Sequence, residues 1–512
     1  MSTAINNMGS TTTAPRWNFG MQATARGLLM PSLLTLALAA CTVGPDYVRP
    51  TLPTPDRFVH GTTAASLDAN ASADTKVANA TTDAEFWQSF GDPLLTRLID
   101  EALVANHDLR VALTRYDRAN ALLRGARLDR YPTITASATA SDARASADQL
   151  PGVASDGRDG KSYQAGIVAG WELDLFGRIR RNVEAQRADA WATASDLDAL
   201  QVAIVGEVAR SYAELRGLQE RLRVAQENAD NQRETLRLVD ARLDAGRGTE
   251  FDTARARAQL ETTQARVPAL EAAVAVTMHR LAVLIGQEPG ALIAELESPR
   301  ALPALPARLD AGTPGELLRR RPDVVAAEHR LHAATARIGV ATADLFPRFT
   351  LGGLIGSQAV DASALFERSS ETRLVALGID WSFLDIGRVR ARIAASDADA
   401  AGELARYQQS VLLAMEDTEN ALVRYGRARI EDAHLERAAR DSASAARLAR
   451  VRFDAGATDL FEVLDAERTQ LQAQDAFADA RTRSVTGAIA VYKAMAGGWP
   501  TRVPLREAVS AR

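Results

Sequence analysis

Few residues of this sequence have the types and spacing that enzyme chemistry requires. The six histidines are scattered, and only His329 and His332 lie close enough in sequence to share one face of a helix. Two ligands without a third do not make a zinc site, since such sites use at least three protein ligands. Gly160-Lys161-Ser162 is similar to the end of a phosphate-binding loop, but Ser155 stands where the first glycine would be. We expect these three residues in an outward-facing loop, and we predict no metal, no cofactor and no enzyme activity.

The single cysteine, Cys41, is placed for lipid attachment. It follows an apolar run from Leu28 to Ala40 that Arg26 precedes, and the run ends in small residues, as in a secretory signal peptide. Leu-Ala-Ala-Cys41 resembles the lipobox of bacterial lipoproteins. A buried structural cysteine is the alternative. Acyl chains such as palmitate at Cys41 would add about 0.8 kcal/mol of membrane affinity per buried CH₂. Because Thr42 is not an aspartate, the lipoprotein-sorting pattern of enteric bacteria predicts the outer membrane.

Two very long helical patterns dominate the rest of the chain. Arg178 to Asp244 contains no proline, and its large apolar residues recur every three or four positions. Arg388 to Asp454 repeats the pattern 210 positions later. One unbroken helix of this length would span roughly 100 Å, and a spacing near 3.5 residues indicates coiled-coil packing against long neighbours. Taken alone, either stretch would fit a coiled-coil rod.

The repetition extends beyond the helices and predicts a duplicated domain. Trp171-Glu-Leu-Asp-Leu-Phe-Gly177 precedes the first long stretch, and Trp381-Ser-Phe-Leu-Asp-Ile-Gly387 precedes the second. Behind the stretches, Asp244-Ala-Gly246 matches Asp454-Ala-Gly456. Glycine just past the last periodic residue is the expected end of a helix, so each long helix should turn there into a return helix.

Each copy also carries two segments in which apolar and polar residues alternate. These segments are about 132–142 and 162–175 in the first copy, and about 348–357 and 373–384 in the second. Strands of about ten residues with one apolar face, near an aromatic such as Trp171 or Trp381, are typical of outer-membrane β-barrels. A soluble sandwich is the alternative. Four strands cannot close a barrel in lipid, so chains must share it, with 8 strands in a dimer or 12 in a trimer.

These patterns divide the chain into six segments. We predict a signal peptide over 1–40 (with Met21 as an alternative start), an extended, poorly packed lipidated arm over 41–85, a first repeat over 86–298, a proline-rich linker over 299–315, a second repeat over 316–499 and a tail over 500–512. The long helices should cover 178–244 and 388–454, and the return helices 252–284 and 462–495. Asp92 should cap a helix that begins at Pro93.

Composition agrees with a helical, non-nucleic-acid-binding protein. Hydrophobic residues make up 46% of the chain and aromatic residues only 5%, and alanine is abundant. This composition favours close packing of helices over a bulky interior. The net charge is −5, so the chain lacks the basic surface that nucleic acid requires.

Taken as a set, these motifs resemble the TolC-like outer membrane factors, and most closely their lipoprotein (NodT) branch. The resemblance covers about Cys41 to Trp499 and rests on the lipobox, Gly44-Pro-Asp-Tyr-Val-Arg-Pro50, the two Trp motifs, Val463-Leu464-Asp465-Ala466 and the closing Val491-Tyr-Lys-Ala-Met-Ala-Gly-Gly-Trp499. It implies an α+β membrane protein, in which a homotrimer forms a 12-stranded outer-membrane β-barrel, four strands per chain, continuing into a long periplasmic α-helical barrel.

The resemblance also implies partners and site residues. Such channels are the exit duct of tripartite pumps of the RND type, docked on a periplasmic adaptor protein and an inner-membrane transporter. The turns with Gly246, Gly248, Thr249, Gly456 and Thr458 would meet the adaptor. Phe461, Glu462, Asp465 and Arg468 match positions of the closed periplasmic aperture in this family. Trp171 and Trp381 would lie at the membrane interface.

Two features of these site residues bear on the roles that the resemblance implies. Asp465 and Arg468 are spaced i, i+3 and could equally be an ordinary surface pair contributing about 0.2 to 0.5 kcal/mol. Thr458 stands where some relatives carry arginine, which argues against an inter-helix salt link there.

The leading hypothesis for the function is export of drugs or other toxic small molecules. Alternatives are a channel for type I protein secretion and a lipid-anchored coiled-coil scaffold without a pore.

Overall fold

The computed structural model describes residues 42–60, 86–305 and 313–496. Cys41, the predicted signal peptide and the predicted tail lie outside the described residues, as do 61–85 of the arm and 306–312 of the linker. The chain divides into two compact units. One contains the chain up to Gly44, Arg130–Arg180 and Thr342–Ile386, and the other contains Pro45–Asp129, Arg181–Ala341 and the chain from Gly387.

Ten α-helices and four strands occur within the described residues. In chain order they are α1 Pro93–Ala105, α2 His107–Leu128, β1 Thr133–Arg144, β2 Asp159–Leu173, α3 Arg178–Asp244, α4 Glu250–Gln264, α5 Arg266–Leu284, α6 Ile293–Leu296, α7 Pro314–Arg320, α8 Pro322–Ala343, β3 Arg348–Ala359, β4 Glu371–Asp380, α9 Ile386–Asp454 and α10 Leu460–Ala494. The two long helices, α3 and α9, have 67 and 69 residues. The second half of the chain thus repeats the order of the first, with two strands, one long helix and a return segment.

The first unit is built on one antiparallel sheet with the strand order β1-β2-β3-β4. Its register brings the predicted apolar positions to a common face, because residues directly opposite each other point the same way. Ile134 lies opposite Ala169, Trp171 opposite Leu351, and Leu351 opposite Leu377. The alternation read from the sequence is therefore confirmed in all four strands.

Two parts of the sheet differ from the sequence prediction. Gly160, Lys161 and Ser162 were expected in a loop, but they lie in β2. There they pair with residues 143, 142 and 141 of β1. The ladder extends to Arg144 and Asp159, which lie opposite each other and form an ion pair at 3.0 Å. The fourth strand, expected to reach 384, ends at Asp380, because Phe383–Asp385 form a 3₁₀ turn that leads into α9.

The second unit contains the main core. The 3₁₀ turn Phe86–Phe90 buries its three aromatic rings, and the ring of Phe86 stacks on that of Tyr492 with 4.6 Å between centroids. The apolar stripe predicted for α3 lies in the same core, including Tyr212. The Tyr212 hydroxyl donates to Asp92 Oδ2 at 2.6 Å, while Asp92 Oδ1 accepts from the first amides of α1. The predicted N-cap at Asp92 and the start at Pro93 are confirmed.

The return segment of the first copy is divided, whereas one helix over 252–284 was expected. α4 ends at Gln264 and α5 begins at Arg266. Pro268 explains the break, since it has no N–H to donate to the carbonyl of Gln264 and its ring clashes with that carbonyl. The corresponding segment of the second copy contains no proline and forms the single helix α10.

The N-terminal arm is packed, contrary to the prediction, over the part that the structure describes. Phe58 is only 5% exposed and belongs to the main core. Tyr47 and Leu52 pack against a second cluster formed by α7, α8 and α9. The backbone amide of Val59 donates to Glu419 at 2.7 Å. Large apolar residues spaced five or six positions apart hold an extended chain against the helices, a pattern too sparse to be recognised in a segment rich in proline and threonine.

Candidate functional site

The two turns that end the long helices have the same backbone geometry. Gly246 has φ +70°, and its amide donates to the carbonyl of Leu243 at 2.9 Å. The next amide, of Arg247, donates to the carbonyl of Arg242 at 2.8 Å. Gly456 repeats the arrangement with φ +74° and equivalent bonds at 3.0 and 2.8 Å. This is the Schellman motif, which places glycine in the left-handed region and closes the helix end.

Each turn then starts its return helix with a capping side chain. Thr249 accepts from the amide of Asp252 at 3.2 Å, and Asp459 accepts from the amide of Glu462 at 3.1 Å. Thr249, predicted as a contact for the adaptor, is therefore also the N-cap of α4. Gly248 lies against the end of α3, since a Cβ there would meet the amide nitrogen of Leu243 at 3.0 Å. The Thr458 hydroxyl is buried and has no hydrogen-bond partner in the described parts of the chain.

A small core joins the two turns. It contains Val239, Ala256, Phe453, Leu460, Val463 and Leu464. Arg242 lies over the Phe453 ring, 3.8 Å from its centroid, and donates to the Phe453 carbonyl at 3.1 Å. The turns of the two copies are thus packed against each other.

Two exposed phenylalanines flank an arginine on the surface beside the two packed turns. The guanidinium of Arg255 lies 5.5 Å from the ring centroid of Phe251 and 5.0 Å from that of Phe461. The two rings, which occupy equivalent positions of the two copies, are 68% and 54% exposed. We call Phe251, Arg255 and Phe461 the tip cluster. Cation–π contacts of this kind contribute about 0.5 to 1 kcal/mol at exposed sites.

The residues predicted for the aperture lie together on the first turns of α10. Phe461, Asp465 and Arg468 follow the spacing i, i+4, i+7 and share one face of the helix. Arg468 forms an ion pair with Asp465, and Glu462 pairs with Arg452 of α9 at 3.3 Å. Both pairs are largely exposed in the single chain, so neither is held in place by burial.

One buried charged residue near this face was not predicted. Glu467 is 4% exposed, and its Oε1 accepts from Arg450 of α9 and from the Thr235 hydroxyl of α3, the latter at 2.8 Å. Three helices therefore meet at one carboxylate. The sequence did carry a signal, because Glu467 continues the apolar stripe of Val463, Leu464 and Leu471, where a charge is unexpected.

A comparison with known proteins decides the family. The family described as "Outer membrane efflux protein" matches residues 98–287 and 313–497, which correspond to the two copies. The chain belongs to this family. Outer membrane protein OprJ of Pseudomonas aeruginosa is 32% identical over 477 residues, covering 91% of this chain and 95% of its own. Nodulation protein T of Rhizobium leguminosarum bv. trifolii is 30% identical over 452 residues, covering 85% and 90%.

A solved structure agrees with the sequence comparison. The outer-membrane channel OprN is 43% identical and covers 90% of this chain and 100% of its own, with a TM-score of 0.79. The predicted resemblance to TolC-like factors of the NodT type is therefore confirmed. This outer membrane efflux protein has the TolC-like fold, and it is an outer membrane channel protein with a periplasmic helical extension.

The two tryptophans of this efflux protein have matching environments in the sheet unit. The indole N–H of Trp171 donates to the carbonyl of Arg130, and that of Trp381 to the carbonyl of Leu345, both at 3.0 Å. Each acceptor lies two positions before a proline. With the N–H bonded and the ring exposed, both side chains suit a membrane interface, which remains a prediction.

The histidine pair has structural partners of its own. His332 lies 3.0 Å from Glu184 and stacks on Tyr47 at 4.4 Å, while His329 lies beside Trp191. Burial lowers the pKa of His329. Within residues 42–60, 86–305 and 313–496, no three potential metal ligands come together.

Proposed function

We propose that three copies of this chain form the exit channel of a tripartite efflux pump, with a twelve-stranded barrel in the outer membrane. The sheet with its two free edges is the observation that carries the proposal. Among the described residues, β1 and β4 each pair on one side only. An unpaired backbone group inside a bilayer is costly, so these edges need partners. Joining β4 of one copy to β1 of the next closes twelve strands in a trimer.

The exposed apolar face of the sheet supports a location in lipid. Ile134, Ile355 and Val375 occupy this face, and Val375 is 82% exposed in the single chain. The opposite face carries glycines, among them Gly166 and Gly356, which lie opposite each other. A Cβ at Gly356 would meet the carbonyl oxygen of Ala165 at 2.7 Å, so a side chain does not fit there. An apolar outer face and a glycine-rich inner face suit a closed barrel.

We also propose that Cys41 carries acyl chains and anchors the arm at the membrane. Cys41 itself lies outside the described residues, but the next residues are held firmly. The amide of Val43 donates to the carbonyl of Phe176 at 3.2 Å. Gly177 has φ +82°, and a Cβ there would meet Thr42 Cγ2 at 2.6 Å. The start of the arm is thus bonded to the end of the Trp171–Gly177 motif.

The two turns and membership of the family are the basis for the proposed periplasmic partners. The tip cluster presents two exposed phenylalanine rings and an arginine, and these residue types are enriched in protein–protein interfaces. We propose that this surface and the turns at Gly246 and Gly456 dock the adaptor, which connects the channel to an inner-membrane transporter. The exported compounds would be drugs or other toxic small molecules. Since members of this family are channels, we propose that the protein transports without catalysis.

Single-channel recording tests the proposal. Purified full-length protein is added to planar lipid bilayers, and its mass in detergent is measured by light scattering. We expect stepwise currents and a protein mass three times that of the chain. A lipid-anchored scaffold would give no current above that of detergent alone. A channel with the mass of a dimer would instead contradict the twelve-stranded barrel.

A further inference from the structure

A cavity of about 390 Å³ lies beside the tip cluster, between the return helices and α3. Its lining includes Gln232 of α3, Arg255 and Thr262 of α4, Arg266 of α5, and Arg468 and Gln472 of α10. Its volume is at the lower end of the ~300 to 1,000 Å³ found for small-molecule sites. The cavity is therefore the size of a small metabolite, and it is formed by four helices of one unit.

The charges around this cavity are unbalanced. None of the residues that line it is acidic. Arg468 pairs with Asp465. Arg255 makes cation–π contacts with two rings, and neither Arg255 nor Arg266 has an ion-pair partner among the described residues. Two guanidinium groups thus face the same space without a carboxylate.

A buried amide forms part of the same wall. Gln232 is 2% exposed, and neither its amide nitrogen nor its amide oxygen has a hydrogen-bond partner within the described residues. Buried polar side chains in native proteins are nearly always hydrogen-bonded, so an amide with both atoms free points to a missing partner. A polar ligand in the cavity would supply that partner.

We propose that this cavity binds a small dicarboxylate. Arginine guanidinium groups bind carboxylates through paired, charge-assisted hydrogen bonds, and two of them without partners match a ligand with two negative charges. The Gln232 amide nitrogen would donate to one of the carboxylate oxygens. The site lies within one chain and requires neither an open pore nor an adaptor. It therefore goes beyond the proposed function and is testable separately from it.

Binding is measured on purified full-length protein in detergent by saturation-transfer NMR, with succinate as the probe. Succinamide has the same carbon skeleton without the charges and serves as the control ligand. Ionic strength is held constant with sodium chloride. We expect succinate to bind and succinamide not to bind. Arg266→Gln should weaken succinate binding about tenfold, because it removes a hydrogen-bonded charge.

Arg257→Gln is the matched control variant, since Arg257 lies on α4 but does not line the cavity. It should change the affinity for succinate less than twofold. Gln232→Leu should also weaken binding while keeping the volume of the side chain similar. Equal binding of succinate and succinamide would overturn the proposal. So would equal losses in Arg266→Gln and Arg257→Gln, because binding would then follow overall charge and not this cavity.

Discussion

At the scale of single residues, Glu467 is a buried charged residue of α10. Its carboxylate is buried among three helices and accepts from Arg450 and Thr235. Its second oxygen, Oε2, has no partner within the described residues. Removing one member of a buried ion pair leaves the other charge without compensation and destabilises a protein. Arg450 is itself 37% exposed in its side chain, so water would recover part of that loss.

Replacing Glu467 should lower stability. We expect Glu467→Ala to reduce the free energy of unfolding by about 1 to 3 kcal/mol, the cost of leaving a buried hydrogen-bonding group without its partner. Thermal unfolding of the purified protein measures the change as a lower transition midpoint. Glu431→Ala is the matched control, because Glu431 pairs with Arg483 on the surface. Its effect should stay within about 1 kcal/mol. Equal shifts in the two variants would show that Glu467 is not a buried link.

At the scale of helices, the two glycines of α3 mark close contacts with α10. A Cβ at Gly206 would meet Cδ of Lys493 at 3.1 Å. A Cβ at Gly217 would meet Thr482 at Cγ2 (2.7 Å) and at Cβ (2.9 Å). Atoms do not approach this closely, so α3 and α10 could not keep their present distance with any larger residue at 217.

The substitution Gly217→Ala should therefore destabilise the helix pair. Alanine favours a helix by about 1 kcal/mol over glycine, but overpacking costs about 1 to 3 kcal/mol. We expect a net loss of up to about 2 kcal/mol, seen as a lower midpoint of thermal unfolding. Gly402→Ala in α9 is the control with the opposite sign, since a Cβ there meets nothing within 4 Å. A stabilising effect at both positions would contradict the close contact at Gly217.

The sequence predicted the secondary structure elements better than the packing between them. Periodicity predicted the long helices and the common apolar face of the strands, because each pattern depends on neighbours along the chain. Gly217 lies against Thr482, the Thr235 hydroxyl donates to Glu467, and the Val59 amide donates to Glu419. The members of each of these pairs are more than 200 residues apart in the sequence. Those partners become neighbours only in the folded chain, so local patterns could not reveal them. Pro268 could have predicted the break between α4 and α5. The helical period on both sides of it favoured one continuous helix instead.

The candidate site was predicted unevenly for the same reason. The turn glycines Gly246 and Gly456 were evident, since helix ends have a local signature. The resemblance to a family supplied Asp465 and Arg468, and their ion pair follows from i, i+3 spacing. The contact of Arg255 with both Phe251 and Phe461 joins the two copies across space. No feature of either copy alone would have predicted it.

At the scale of the whole molecule, the two copies differ in charge where the proposed aperture lies. The backbone of the two turns is the same, and Phe251 corresponds to Phe461. The positions equivalent to Asp465 and Arg468, however, are Arg255 and Ala258. Only the second copy therefore places an acidic residue on this face of the return helix. In a trimer, this asymmetry would give three equivalent acidic positions around the axis and not six.

Three copies of Asp465 near one axis would repel each other unless each is paired, and Arg468 supplies that pair. The same charges would narrow the aperture and hold it closed. We expect the double variant Asp465→Ala/Arg468→Ala to raise single-channel conductance severalfold in planar bilayers, because it removes both the bulk and the ion pairs. Asp230→Ala/Arg233→Ala is the matched control, an exposed i, i+3 pair on α3. It should leave conductance unchanged. If the Asp465/Arg468 variant also conducts like the native channel, the constriction lies elsewhere, and their ion pair is an ordinary surface contact of α10.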